Sequence, residues 1–233
     1  MKQWLGILFP LPFLVILFLG WMNPFSQPDP MAAPDYVSAL QRENGSLNPV
    51  SAIYLDYRFY DTLFEICVFF TASFGVSLVL SRFSTEQAND QEENPEEFSP
   101  VAPLFFFGAT QVFSLFLVLT GHLSPGGGFV AGVVGGTGVL ILSGNKPFHV
   151  LETELHRLKL HWIEQCVMLA IPILGIVSFF SKGVVLGNLF PTGNPGDLFS
   201  GGNALLLNAL IGFKVFTGTW TIFFHFVRHR GMI

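Results

Sequence analysis

Apolar residues along this chain gather into six runs, 4–22, 62–81, 101–120, 127–143, 163–180 and 203–227, with polar stretches between them. The runs are roughly 18 residues or more in length, which is what an α-helix needs to cross ~30 Å of hydrocarbon. The pattern therefore predicts an all-α integral membrane protein of about six transmembrane helices. The first run carries Pro10 and Pro12, follows a single positive charge and ends Gly20-Trp21-Met22-Asn23-Pro24. A cleaved signal peptide would share its charge and length. The lack of a small-x-small cleavage site after it favours a retained helix.

The polar stretches divide the chain. Residues 84–99, STEQANDQEENPEEFS, hold six acidic side chains and no basic one. Such a segment cannot bury a core and reads as a solvated linker. It separates a two-helix part, 1–83, from a four-helix part, 100–233. Residues 24–47 read as a loop bearing Pro and Asn, and Asn44-Gly45-Ser46 is a glycosylation triplet of a very common kind. Residues 145–162 read as an amphipathic stretch, with His149 and His156 at the interface and His161, Glu164 and Gln165 entering the fifth run on one side.

Charge sets the orientation. With six spans, Lys2, Arg82, Lys146, Arg157, Lys159, Arg228 and Arg230 fall on one side, and Arg42, Arg58 and Lys182 on the other. Seven against three places both termini in the cytoplasm. Composition agrees with a membrane chain: 51% hydrophobic, 12% charged and 27 Phe, too little charge to cover a soluble surface. A net charge of −5 argues against nucleic acid as a partner. Two isolated cysteines, Cys67 and Cys166, make neither a disulfide framework nor a cluster site, and no zinc spacing joins the histidines.

Candidate chemistry sits where charge enters apolar runs. Asn48-Pro49 is a helix start, with Asn as N-cap and Pro at the first helical position. Counted at 100° per residue, Tyr54, Arg58, Asp61, Glu65 and Ala72 share one face of the helix that follows, while Asp56 lies elsewhere. Asp56 and Arg58 suit a solvated turn. Glu65, among Leu63, Phe64, Ile66, Val68, Phe69 and Phe70, suits a proton-exchanging acid. In the last run Lys214 lies mid-membrane, where an insertion scale sets its cost at ~2.5–3.5 kcal/mol. Lys214, Thr217, Thr221, His225 and Arg228 form one stripe toward the end of that run, with Gly218 leaving room beside it. The stripe suits a hydrated ion path; a structural Lys paired with an acid on a neighbouring subunit is the competing reading.

The string GHLSPGGGFVAGVVGG, residues 121–136, predicts a tight turn at His122–Pro125. Gly126, Gly127 and Gly128 open the next helix, and Ser124, Gly128, Gly132 and Gly136 form a ridge for close helix packing. His122 suits either a proton relay or a turn cap.

These motifs carry a resemblance. NPVSAIYLDYRFYDTLFE, from Asn48 to Glu65, is similar to the C-terminal region of the large A-type subunit of Mrp-type antiporters and to the E-type subunit of membrane-bound hydrogenases. Here Tyr57 stands for Phe and Phe64 for Gly. GHLSPGGGF is similar to the signature of the B-type subunit of the antiporters, and GFKVFTGTW to the end of B- and F-type subunits, with Asn208 roughly where other B-type subunits carry an acid. The resemblance covers about 48–83 and 101–227. It implies a non-enzymatic, multi-pass subunit of the inner (cytoplasmic) membrane, within a module that exchanges Na⁺ for H⁺. It binds no cofactor itself, and its partners are other Mrp-type subunits, including the large proton-pumping ones, and hydrogenase-like redox subunits in the redox-linked variant. The expected ion and proton pathway residues are Asp56, Arg58, Asp61, Glu65, His122, Lys214, Thr217, Thr221 and His225. A structural membrane scaffold is the remaining alternative.

Overall fold

The computed structural model describes residues 11–22, 33–83, 101–143, 150, 151, 153, 160–185 and 187–228. The acidic linker 84–99 and most of the amphipathic stretch 145–162, with His149 and His156, lie outside them. The described residues form helices α1 (Leu11–Met22), α2 (Ala33–Asn44), α3 (Pro49–Ala52), α4 (Phe59–Phe83), α5 (Val101–Thr120), α6 (Gly128–Ser143), α7 (Leu160–Lys182) and α8 (Ala204–Arg228), and no strand. Four of them, α4, α5, α7 and α8, are long and apolar enough to cross a membrane. The described parts of the other two expected spans, α1 and α6, are shorter apolar helices of 12 and 16 residues.

Helix α8 is the axis of the bundle. It packs against α6, α4, α7 and α5, and 56% of its apolar window is buried, against 6% for α5. The closest of these packings is with α6, and glycine makes it possible. A Cβ on Gly128 would strike the carbonyl oxygen of Asn208; one on Gly132 would sit 2.6 Å from Val215 Cβ, and one on Gly136 2.8 Å from Thr219 Cβ. The predicted ridge is therefore a helix-to-helix seam, as small residues permit in membranes. A second seam was not anticipated. Gly135 and Gly138 turn the other way, against Ser114 and Thr110 of α5. There Gln111 Nε2 donates to Gly135 O at 2.9 Å and Ser114 Oγ to Ala131 O at 2.7 Å. Beside α8, an apolar core of Leu55, Leu63, Ile66, Met168, Ile171, Leu207 and Ile211 joins α4, α7 and α8.

Two local expectations need correction. Residues 33–44, expected as loop, form α2, which ends at Gly45 with φ +78° and the Gly45 N–H bonded to Gln41 O at 2.9 Å. Pro34 near its start and a left-handed glycine just past its end are ordinary helix boundaries, outweighed in the sequence by their polar surroundings. The helix capped by Asn48 is also not continuous. Asn48 Oδ1 accepts from Val50 N–H, but after one turn Ile53–Tyr57 widens into a π-helical turn closed by Arg58 N–H to Ile53 O at 2.7 Å. At Arg58 the backbone leaves the helical region (φ −120°, ψ 34°) before α4 begins. The 100° count across it fails, so Tyr54 points inward while Asp61, Glu65 and Ala72 are exposed.

Gly132→Leu should force α6 off α8 and lose at least the ~1–3 kcal/mol typical of overpacking. Gly108→Ala on α5, where a Cβ meets nothing within 4 Å, should be neutral. Thermal unfolding of the purified protein in detergent checks both; equal melting of the two variants would refute the seam.

Candidate functional site

The buried polar groups lie in three layers along α8. The first clusters where α2, the π-helical turn and the loops before α6 and α8 meet. Asn48 ties the two halves of the chain together: its amide donates to Gly121 O and Ser124 O, both at 3.0 Å, and its backbone N–H to His122 O at 3.1 Å. Asp56 is not the solvated group expected. Its carboxylate accepts from Asn44 Nδ2 at 2.6 Å and from Asn188 Nδ2 at 3.2 Å. Burial pushes its pKa above the ordinary carboxylate value, Asn44 and Asn188 lower it in part, and Glu43 raises it further. Asn188 in turn receives Asn203 N–H at 2.9 Å, and Asn203 Oδ1 receives Leu189 N–H at 3.0 Å. Asn44, the glycosylation candidate, is 2% exposed and inaccessible to an enzyme.

His122 is fully buried, and among the described residues its ring nitrogens meet the backbone of Asp197 and Leu198 without well-formed hydrogen bonds. Burial holds its pKa below the ordinary 6.5, and the backbone of Asp197 and Leu198 beside it offsets only part of that. The ring stands over Gly201, whose φ of +81° lets the loop pass between Ser46 and the imidazole.

The second layer is Asn208. Its Oδ1 accepts from Gly128 N–H at 2.9 Å and from Tyr54 O–H at 3.2 Å, so it completes the N-terminus of α6 and anchors the π-helical turn. Gly126 and Gly127, at φ +156° and +117°, deliver the chain to that point; a Cβ on Gly127 would strike the Tyr54 hydroxyl.

The third layer is an ion pair at hydrocarbon depth. Lys214 is fully buried, and its Nζ bonds Glu164 Oε1 of α7; Nζ also lies 4.9 Å from the centroid of the Phe70 ring. The acid that balances Lys214 is thus in the same chain, not on a neighbouring subunit. Spacing could not have revealed it, since fifty residues separate the pair, although Glu164 was visible as a charge entering an apolar run. Thr217 Oγ1 donates to Lys214 O and Thr221 Oγ1 to Thr217 O, both at 2.9 Å. These hydroxyls bond their own helix, and the room beside Gly218 is filled by Phe69. His225 follows on α8 with its ring edge-on to Phe224.

Arg58 and Asp61 form an exposed ion pair at the start of α4. Glu65, one turn further, is exposed on the outer face of that helix, not enclosed by its apolar neighbours in sequence. Among the described residues no three His, Cys, Asp or Glu side chains converge as a metal site would require.

Residues 100–221 match the family described as a domain related to the MnhB subunit of the Na⁺/H⁺ antiporter. The chain belongs to this family. A protein of Rhizobium meliloti (strain 1021), named as the probable A/B subunit of a K(+)/H(+) antiporter, is 28% identical over 170 residues, covering 62% of this chain. This chain spans only 17% of that relative's length. An uncharacterized protein of Methanocaldococcus jannaschii is 27% identical over 205 residues, 76% of each. A chain of the membrane-bound sulfane sulfur reductase, an archaeal respiratory membrane complex, superposes with a TM-score of 0.66 and 27% identity, over 96% of this chain and 97% of that one. A chain of the Mrp complex from Dietzia sp. DQ12-45-1b shares the fold at a TM-score of 0.60 and 20% identity, over 88% of this chain and 23% of its own length. The MnhB-related chain thus has the helical architecture of a membrane protein of the antiporter-subunit family.

Breaking a buried pair from one side costs ~3–5 kcal/mol, whereas replacing both partners with apolar groups is nearly neutral. Glu164→Leu and Lys214→Met should each lower the melting temperature of the MnhB-related chain, and the double variant should recover most of the loss. A double variant no more stable than either single one would refute the pairing.

His122 gives a pH test. Its folded-state pKa lies below that of the unfolded chain, so stability is full above 6.5 and falls as pH drops through the window beneath. Hydrogen-exchange protection of residues 187–203 should therefore weaken as pH falls from neutral through that window, and His122→Phe should remove that dependence. Equal pH dependence in both proteins would count against it.

Proposed function

We propose that this MnhB-related chain serves a multi-subunit cation/proton antiporter module as a proton-handling and assembly component, and that Na⁺ and H⁺ are the ions exchanged. The observation that carries the reading is the Lys214–Glu164 pair, a balanced charge pair enclosed at membrane depth. Such pairs are expensive and mark ion or proton routes. A proton arriving at Glu164 is matched by one leaving Lys214, so the charged pair becomes a neutral one and the site can pass a proton without leaving a lone ion in the hydrocarbon. Thr217, Thr221 and His225 continue along α8 from that point. Asp56, Arg58, Asp61, Glu65 and His122 serve the opposite end, which faces outward if both termini are cytoplasmic and α1 and α6 complete six spans.

The 48–83 part is read as the A- or E-type piece joined to the B-type piece in one chain. Supporting this, a single longer chain of the Mrp complex covers 88% of this chain, and one relative carries both letters in its name. One observation favours a second setting, in which the module is bolted to a redox arm: the correspondence with a chain of the archaeal respiratory complex runs over nearly the whole of both chains. Iron–sulfur or nickel–iron subunits among the co-purifying proteins would select that setting, and their absence the stand-alone antiporter.

The Lys214→Met/Glu164→Leu double variant tests the role. In the assembled complex it should keep subunit composition but lose cation-driven proton exchange across vesicle membranes at least ~10-fold, the equivalent of ~1.4 kcal/mol on the limiting barrier. Parental exchange by a complex carrying the double variant would leave only a scaffold.

A further inference from the structure

Among the described residues, the exposed faces of α5 and α4 differ in chemistry. That of α5 is wholly apolar, with Leu104, Phe105, Val112, Phe113 and Leu115 each more than half exposed, as a face against lipid tails would be. The outer face of α4 carries Asp61, Glu65, Val68, Ala72, Gly75 and Val79 in one straight stripe at 100° per residue. Asp61 is paired with Arg58. Glu65 is exposed and makes no hydrogen bond or ion pair with any described residue. It lies about 9 Å along the helix from Phe59, inside the apolar stretch Phe59–Leu80, with Phe64 and Val68 exposed around it.

Lipid does not satisfy such a group, and charged residues in spans are paired or turned toward protein or water. Among the described residues the buried cation, Lys214, is already taken by Glu164. Below Glu65 the stripe turns small: Ala72 is exposed, and a Cβ on Gly75 would meet nothing within 4 Å. Small residues of this kind admit another helix closely.

We propose that the α4 stripe is the docking face for a transmembrane helix of another subunit, which brings a Lys or Arg side chain to Glu65. This rests on the chain being a module subunit; it adds the site and the chemistry of a neighbour. Charge complementarity selects the occupant. A lipid would leave the carboxylate bare, and a second copy of this chain would set Glu65 against another acid.

The test uses the full complex in native membranes, with the photoreactive residue p-benzoylphenylalanine placed at Ala72. Irradiation should join this chain to one peptide of a different membrane protein of the complex, a helix that contains a basic residue within about two turns of the joined position. Glu65→Lys should cut that product at least ~10-fold by like-charge repulsion, and Glu65→Gln should cut it less. Lipid adducts alone, a joined helix without a basic residue, or a yield unchanged by Glu65→Lys would overturn the proposal. The identity of the joined peptide is read without any change at Glu65, so misassembly of the Lys variant does not decide the matter. Ion exchange, measured separately, keeps the two readings apart: parental exchange by the Lys214→Met/Glu164→Leu complex alongside the predicted peptide upholds the docking face while the proton-handling reading fails.

Discussion

The rest of the bundle depends on how closely two backbones approach at the seam between α6 and α8. Gly128, Gly132 and Gly136 let α8 lie directly on α6, and Asn208 bridges them by taking the Gly128 N–H. With α8 pressed into the centre, its other faces are covered by α4, α5 and α7. That coverage is what encloses Lys214. In water such packing would draw on the hydrophobic effect; among lipid tails it rests on close van der Waals contact and a few polar bonds, so shape complementarity has to be high.

The ion pair and the amide cluster answer the same difficulty in different ways. Lys214, fully buried in the bundle, is balanced by Glu164 and covered on one side by the Phe70 ring. Asp56, nearer the chain's loops, is held by two amides instead of a cation. An amide-held carboxylate keeps its geometry through small changes in charge nearby, which suits a joint between α2, the π-helical turn and the 187–203 loop. The Lys–Glu pair has the opposite property: one proton changes the net charge of its site completely.

How much of this was legible in the sequence varied with the range of the interaction. Apolar length identified α4, α5, α7 and α8, and the four-residue spacing of glycines identified a packing ridge, because both are local patterns. That Lys214 needed compensation followed from cost alone, but the identity of Glu164 required the tertiary fold. Helix α2 was hidden by its polar composition, and the second glycine seam by the first. Asn44, Asn188 and Asn203 carried no signal, since asparagines are commonplace in polar segments and only the network that joins them, two directly and Asn203 through Asn188, to the Asp56 carboxylate distinguishes these. The face assignment of Tyr54 failed for a different reason: a single widened turn breaks the periodicity on which every such count rests.

That widened turn has a consequence for how the segment tolerates change in length. It holds one residue more than an ordinary turn, so it offsets everything after it by about 100°. Deleting any one residue between 53 and 57 would allow an uninterrupted α-helix that keeps Leu63 and Ile66 inside, whereas straightening the turn at its present length would swing Glu65 toward the core and those two out. The segment is in this sense a rotational spacer: the widened turn takes up one residue without changing which side of the following helix is inside, so while that residue is present it is the widening that has to be kept.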